Sequence, residues 1–308
     1  MTGPADLSVV VVTWNSSQVI GACLRSVLET TAGQRVDVIV VDNHSGDDTV
    51  ARVEAAAPGA RIIVNGSNRG LAAANNQGLR AARAADIVIC NPDVEFRPGA
   101  LDEMRAVLHR HPRAGWVVPR LVLPDGSPQA SAGDLPTLAA ALMGRQAARA
   151  RRRPGPSGFW WDGWAHDEER RIGRGSEAAY LVRRQALEDV GPQDDRYVLD
   201  WEGLDWSDRF HRAGWETWLA PGAEVLHRGG HSLRQVPYRA VVSHHRGMYL
   251  YFADRRPAVW RPVLAAAFAL RAAVKLAATA AGRPYHPWDP GVAGGSRGSS
   301  GPTGGPGR

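Results

Sequence analysis

Ala85-Asp86-Ile87-Val88-Ile89-Cys90-Asn91-Pro92-Asp93-Val94-Glu95 is the stretch from which the fold can be read. Its apolar run stops at Asn91, and Pro92, with no N–H to give a ladder, forbids continuation. A fully buried strand ending in a turn has this pattern. Asp93 then lies just past the carboxyl end of the strand, where open α/β sheets bind ligands. A carboxylate beside an amide there suits a divalent cation held against a diphosphate. Asn-Pro-Asp is equally good turn chemistry, so the rest of the chain must decide.

Upstream, Leu7-Ser8-Val9-Val10-Val11-Val12-Thr13 is β-branched and almost wholly apolar, as a buried parallel strand requires. Trp14-Asn15-Ser16-Ser17 breaks it, and Ser16 or Ser17 can cap a helix whose apolar face runs Val19-Ile20, Cys23-Leu24, Val27-Leu28. A second strand from Val36 to Val41 ends at Asp42-Asn43-His44-Ser45-Gly46. A helix from Thr49 to Ala57, a strand from Arg61 to Val64, the loop Asn65-Gly66-Ser67-Asn68-Arg69-Gly70 and an Ala-rich helix from Leu71 to Ala84 lead into the opening stretch. The order βαβαβαβ implies a parallel sheet with right-handed crossovers.

Downstream, the patterns predict a helix from Pro98 to Leu108 and strands from Gly115 to Pro119 and Leu121 to Leu123. A strand from Ala178 to Val182 and a helix ending at Val190-Gly191 follow. A further helix from Leu204 to Ala213 carries Trp206 and Phe210 on one face, with Asp205–Arg209 and Asp208–Arg212 as i, i+4 pairs. A late strand runs from Glu216 to Leu219 and stops before Pro221-Gly222. Arg145 to Arg153 reads as a basic helix followed by a mobile loop. Val263 to Ala281 is apolar but holds Arg271 and Lys275. It suits either a packed C-terminal helix or a helix lying on an anionic membrane. Residues from about Gly282 onward have the composition of a disordered tail.

The chain has 308 residues, 44% of them hydrophobic, which is enough for a sizeable core. Its 37 Lys+Arg against 31 Asp+Glu leave a net charge of +6, which suits an anionic partner such as a nucleotide or a membrane surface. No nucleic-acid-binding signature is present. Cys23 and Cys90, the only two cysteines, fall in apolar patterns and read as free thiols in a reducing compartment. The polar start from Met1 to Asp6 does not read as a signal peptide, which points to the cytoplasm and, with the basic C-terminal helix, to the inner face of the plasma membrane.

Polar clusters follow all four early strands and face one sheet edge. They are Thr13-Trp14-Asn15, Asp42-Asn43, Asn68-Arg69-Gly70 and Asn91-Pro92-Asp93. This arrangement suits a nucleotide: Trp14 can stack on a base, Asp42 can accept from base or ribose, and Gly70 lets the backbone approach a ligand at a helix start. No Gly-x-Gly-x-x-Gly or Walker-type loop is present.

Taken in order, these motifs resemble the inverting, GT-A-fold glycosyltransferases of family 2, in particular the rhamnosyltransferase-like branch. The likeness continues through Tyr180-Leu181-Val182-Arg183-Arg184, Trp201-Glu202-Gly203-Leu204-Asp205, Arg212-Ala213-Gly214-Trp215 and His227-Arg228-Gly229-Gly230-His231-Ser232, covering roughly residues 7 to 232. The resemblance implies a Rossmann-like, mainly parallel α/β sheet flanked by helices, with a C-terminal helical extension. It implies a nucleotide-sugar-binding half over 1–125, an acceptor half of the same domain over 126–235, a helical and membrane-associating region over 236–282 and a tail over 283–308.

It further implies a dTDP- or UDP-linked donor bound by Thr13, Trp14, Asn15, Asp42, Asn68, Gly70, Asn91 and Asp93. Mg²⁺ or Mn²⁺ would sit on Asp93 and His227, and the acceptor would be a glycan or lipid-linked hydroxyl of cell-envelope synthesis. The family's catalytic carboxylate stands where this chain has Gly203. The base then falls to Glu202, Asp205 or Asp200, with Glu202 favoured and then Asp205, which also has a structural use beside Arg209. Trp201 and Trp206 flank this motif, where rings that stack on sugars are expected. A sugar-phosphate nucleotidyltransferase would show a Gly-rich basic segment after the first strand, which is absent. A non-catalytic nucleotide-sugar-binding scaffold is the remaining rival, since Asn91 and Gly203 each replace an acid.

Overall fold

The computed structural model describes residues 5–143, 161, 164–229 and 237–282. The basic helix and loop expected after Arg145, His231 and the tail 283–308 lie outside the described residues.

The chain begins β1 (Leu7–Thr13), α1 (Ile20–Thr30), β2 (Val36–Asp42), α2 (Thr49–Ala56), β3 (Arg61–Val64), α3 (Leu71–Ala81) and β4 (Asp86–Cys90). Next come β5 (Val94–Phe96), α4 (Ala100–Arg110), β6 (Ala114–Val122), β7 (Pro128–Gln129), β8 (Ala132–Gly133) and α5 (Leu138–Met143). The second half holds β9 (Arg170–Ile172), β10 (Arg174–Gly175), β11 (Ala179–Arg183), α6 (Arg184–Val190), α7 (Glu202–Arg212) and β12 (Glu216–His227). It closes with α8 (Pro237–Asp254), a 3₁₀ turn (Ala258–Trp260) and α9 (Arg261–Ala280).

The main sheet runs β3-β2-β1-β4-β11-β6-β12-β5, with β7 beside β6 and β9 beside β12. The first four strands are mutually parallel, as their periodicity requires. The alternation of side chains explains why their sequences are apolar throughout. Val9, Val11, Val38, Val40, Val88 and Cys90 enter a core with α1, α2 and α4. Val10, Val12, Ile39, Val41, Ile87 and Ile89 enter a second core on the opposite face, with α3 and α7. Gly78 shows how close α3 lies to β1: a Cβ there would sit 2.2 Å from Val10 Cγ1.

Three details differ from the sequence reading. Ser16 does not cap α1; its hydroxyl donates to Trp14 O at 3.1 Å, and the helix starts at Ile20 without a side-chain cap. β6 is one strand that carries Pro119 inside it, where two had been expected. β12 runs on through Pro221-Gly222 to His227, because the ladder with β6 breaks register between Ala220 and Glu224 and resumes beyond. A bulge of this kind absorbs prolines that cannot donate. As a result β12 reaches β5 and pairs His227 with Val94.

Gly78→Ala tests the α3–β1 contact. An alanine gains about 1 kcal/mol of helix propensity, but the overlap with a fully buried valine on a central strand outweighs it. A net loss on the order of 1–3 kcal/mol is expected from a denaturant midpoint. An unchanged midpoint would mean that α3 lifts freely off the sheet.

Candidate active site

The loops after β1 and β2 are stitched together. Thr13 and Asp42 are register partners, and Thr13 Oγ1 donates to Asp42 Oδ1 at 2.9 Å. Ser45 adds its N–H to Oδ2 at 2.9 Å and its hydroxyl to Oδ1 at 2.6 Å. Asp42 thus has roughly one lone-pair site of a carboxylate's four left for a ligand. Asn15 adopts a left-handed φ of 47°, its N–H donates to Ser45 Oγ at 2.8 Å, and its Oδ1 accepts Gly46 N–H at 2.8 Å. Trp14 beside it is half-buried.

Asn43 organises the third loop. Its amide donates to Asn68 Oδ1 at 3.0 Å and Gly70 O at 3.2 Å, and its oxygen accepts Arg69 N–H at 3.0 Å. Asn68 Oδ1 also accepts Gly70 N–H at 3.0 Å. Gly70, at φ 85°, has Val198 O only 2.8 Å from where a Cβ would be, so a side chain does not fit. Three of the four clusters expected at the sheet edge are therefore joined there.

β4 delivers Asn91 and Asp93, and the extended β12 delivers His227. Asn91 N–H donates to Ala178 O at 2.8 Å, and Arg228 N–H to Asp93 O at 3.0 Å. His227 Nε2 lies 3.5 Å from Asp93 Oδ1, and its Nδ1 is 2.9 Å from Gln129 Oε1. With the amide oxygen accepting from Nδ1–H, the Nε2 lone pair faces the carboxylate. The separation is long for a hydrogen bond and short enough for both groups to reach one cation at about 2.1 Å each. Carboxylate and imidazole suit Mg²⁺ or Mn²⁺ when substrate phosphates complete the shell. No group of three or more acidic, His or Cys ligands occurs among the described residues, so phosphates or water would have to supply the rest.

A second polar centre lies at the start of α7. Asp200 and Trp201 both have left-handed φ, 78° and 77°, and swing the chain into the helix. Glu202 is 1% exposed, and its Oε2 has no hydrogen-bond partner among the described residues. Burial first, then the nearby charges of Glu177 and Asp200, push its carboxyl well above the ordinary range. Asp200 is hydrogen-bonded to His244 of α8. Asp205 does hold Arg209, at 2.9 Å, and also takes Arg255 Nη2 at 2.7 Å, while Arg255 Nε reaches Asp208 at 2.6 Å. This network ties α8 to α7.

Trp201 and Trp206 do not stack on a ligand. Trp206 is wholly buried beside Trp116, Tyr180 and Phe210, with its indole N–H on Gly191 O at 2.9 Å. Trp201 is 4% exposed between Tyr251 and Phe252. Each such ring gains about 1.5–3 kcal/mol by burial, which explains the choice of core over site. Sequence reading passed over Glu177, the half-buried acid before β11, whose neighbour across space is 26 residues away.

Sheet order, edge loops and acidic helix start together make this the GT-A type of glycosyltransferase fold. The chain belongs to Glycosyl transferase family 2, which it matches over residues 8–163. It is 33% identical over 274 residues to the N-acetylglucosaminyl-diphospho-decaprenol L-rhamnosyltransferase of Mycobacterium tuberculosis, covering 84% of this chain and 87% of that one. The fold is shared with a mannosyltransferase from Pyrobaculum calidifontis, solved with GDP-Man and Mn²⁺, at TM-score 0.55 and 17% identity over 93% of this chain and 78% of that one. It is also shared with GalNAc-T7, solved with UDP, GalNAc and Mn²⁺, at TM-score 0.56 and 16% identity, over 74% of this chain and 44% of that one.

The buried Glu202 gives a pH signature. An acid whose folded pKa is raised from 4.5 costs stability increasingly as pH rises above that value, because the unfolded chain ionises and the folded one resists. Glu202→Gln removes that cost. Its melting temperature relative to wild type is expected to improve steadily from pH 5 to pH 8. A difference that stays constant with pH would show that Glu202 is not held protonated by the fold.

Proposed function

We propose that this glycosyltransferase moves L-rhamnose from a dTDP- or UDP-linked donor to a hydroxyl of a polyprenyl-diphosphate-linked N-acetylglucosamine, with inversion at the anomeric carbon. The observation that carries the reading is the likeness to the mycobacterial rhamnosyltransferase along 87% of that protein. The geometry agrees with it. Trp14 is available to stack on the base, Asp42 keeps a lone pair for the nucleoside, and the Thr13–Asn15 and Asn68–Gly70 loops cradle the donor. Asn91 offers an amide beside the phosphates.

Mg²⁺ or Mn²⁺ on Asp93 and His227 would neutralise charge on the departing diphosphate. Asp93 and His227 otherwise keep that corner polar and fixed, His227 by its pairing with Val94 and Asp93 by the Arg228 N–H on its carbonyl. A sugar hydroxyl is a poor nucleophile, so its proton must be accepted nearby. The acidic centre around Glu202 is the group of carboxylates that can do so.

The acceptor's lipid accounts for the C-terminal helices. The segment Ala258–Ala280 contains an 18-residue stretch with a mean hydropathy of 1.6 and is long and apolar enough to cross a membrane. Its apolar side chains largely face outward: Val259 is 77% and Leu270 69% exposed, with Trp260, Val263 and Val274 also exposed. Arg256 just before the segment and Arg261 and Lys275 within it are exposed. Basic and apolar groups together suit a helix lying in the interface of an anionic bilayer at the cytoplasmic face.

Titration with dTDP, UDP and GDP in the presence of Mn²⁺ should find binding of dTDP or UDP. Transfer from dTDP-rhamnose to N-acetylglucosaminyl-diphospho-polyprenol should follow. Asp93→Ala or EDTA should lower that transfer by about two orders of magnitude. Failure of every nucleotide to bind would remove the proposal. The purified chain should co-sediment with phosphatidylglycerol vesicles and not with phosphatidylcholine ones, with Leu270→Glu and added salt weakening the association. Equal recovery with both vesicle types, or with neither, would exclude the membrane contact.

A further inference from the structure

The carboxylates near the start of α7 are not equivalent. Glu202 is sealed at 1% exposure, and Asp205, at 5%, is held by two arginines. Asp200, at 8%, is tied to His244 and to the N–H of Trp201. Glu177 differs from all of them in being only partly buried. Its one hydrogen bond comes from the Gly203 backbone, whose N–H donates to Oε2 at 3.0 Å, and Oε1 takes none from the described residues.

Position 203 explains how Glu177 comes to be there. A Cβ on Gly203 would lie 2.1 Å from Glu177 Cδ and 2.5 Å from its Oε1. The Glu177 carboxylate thus occupies the space into which any side chain at 203 would project. The first helical turn of α7 presents its N–H to a carboxylate brought in from another element. That element points the right way. β11 pairs antiparallel with β4, Ala179 opposite Cys90, so β11 begins at the sheet edge where β4 ends. Ala178 O accepts Asn91 N–H at 2.8 Å, which puts Glu177 immediately before residues that border the Asn91–Asp93 turn.

We propose that Glu177 is the general base of the transfer, an assignment that rests on the glycosyl-transfer reading above. The acceptor hydroxyl gives its proton to the Glu177 carboxylate as its oxygen bonds to the anomeric carbon of the donor sugar. The bond from that carbon to the diphosphate oxygen breaks, and the electron pair leaves with the nucleotide diphosphate. Gly203 is the positioning residue: its N–H holds the base, and its missing side chain makes room for it. Protonation chemistry agrees. Burial, then the charge of Asp200, with Arg174 and the Gly203 N–H opposing, raises the Glu177 carboxyl to about 7, where a base works best at neutral pH.

The test uses the full chain with dTDP-rhamnose, N-acetylglucosaminyl-diphospho-polyprenol and Mn²⁺. Glu177→Gln keeps the hydrogen bond from Gly203. It should bind dTDP with unchanged affinity, lose about 10²–10⁴-fold in kcat, and lose the rise of rate with pH near neutrality. Glu177→Gly should be equally slow. Combining it with Gly203→Asp grows a carboxylate from the opposite backbone into the vacated space, and should recover about tenfold or more over Glu177→Gly. Recovery in this swapped pair also decides the matter if Glu177→Gln folds poorly. A wild type that transfers while Glu177→Gln keeps its kcat within about threefold, or a swap with no recovery, would overturn the assignment and leave the functional reading standing. A wild type that neither binds a nucleotide nor transfers would overturn both.

Discussion

The antiparallel ladder between β4 and β11 is the contact on which the site depends. Four parallel strands alone deliver the polar clusters after β1, β2, β3 and β4 to one edge, as any such sheet does. Reversing β11 makes the same edge receive the start of a strand from the second half of the chain. Glu177 and Ala178 arrive beside Asn91, and α7 follows close behind. β6 and β12 extend the sheet on the far side, and the bulge at Pro221-Gly222 lets β12 travel far enough to bring His227 to Asp93.

Charge is distributed unequally around this edge, and burial decides how. Asp205 and Asp208 share Arg255, so their charges are compensated and their role is to hold α8 on α7. Breaking such a buried pair strands a charge, and that penalty makes the network rigid. Burial raises both Glu177 and Glu202; the charge of Asp200 adds to it at Glu177, where Arg174 opposes, and the charges of Glu177 and Asp200 add to it at Glu202. Two neighbouring acids in different degrees of burial cannot ionise together cheaply. α8 and α9 close this region from the C-terminal side, with Phe252 stacked on Phe268 at 6.0 Å, while most of α9 remains uncovered.

The βαβ half was legible from residue patterns because its information is local. A continuous Val/Ile run marks a strand buried on both faces, and the polar residue ending it marks the ligand edge. The strand from Leu7 to Thr13 and the strand from Arg61 to Val64 are found as read. The acidic motif was legible as a motif, including the gap at Gly203, and the Asp205–Arg209 pairing followed from helical spacing. The tryptophans misled for a physical reason. Proximity in sequence to an acidic motif says nothing about which side of a helix a ring occupies, and the rings of Trp201 and Trp206 gain more from the core than from a solvent-facing site.

By itself the sequence determined the parallel half of the sheet, the edge at which its polar clusters gather and the chemical kinds of group available there, since strand and helix periods and turn residues act over a few neighbours. Only the tertiary structure decided that β11 runs backwards, that β12 passes its proline, and that the empty position at Gly203 is filled by Glu177. Those outcomes depend on which strands share a ladder and on atoms 2–3 Å apart but 26 residues distant in the chain. No local pattern carries that information, because it arises when two halves of the chain close-pack around one edge.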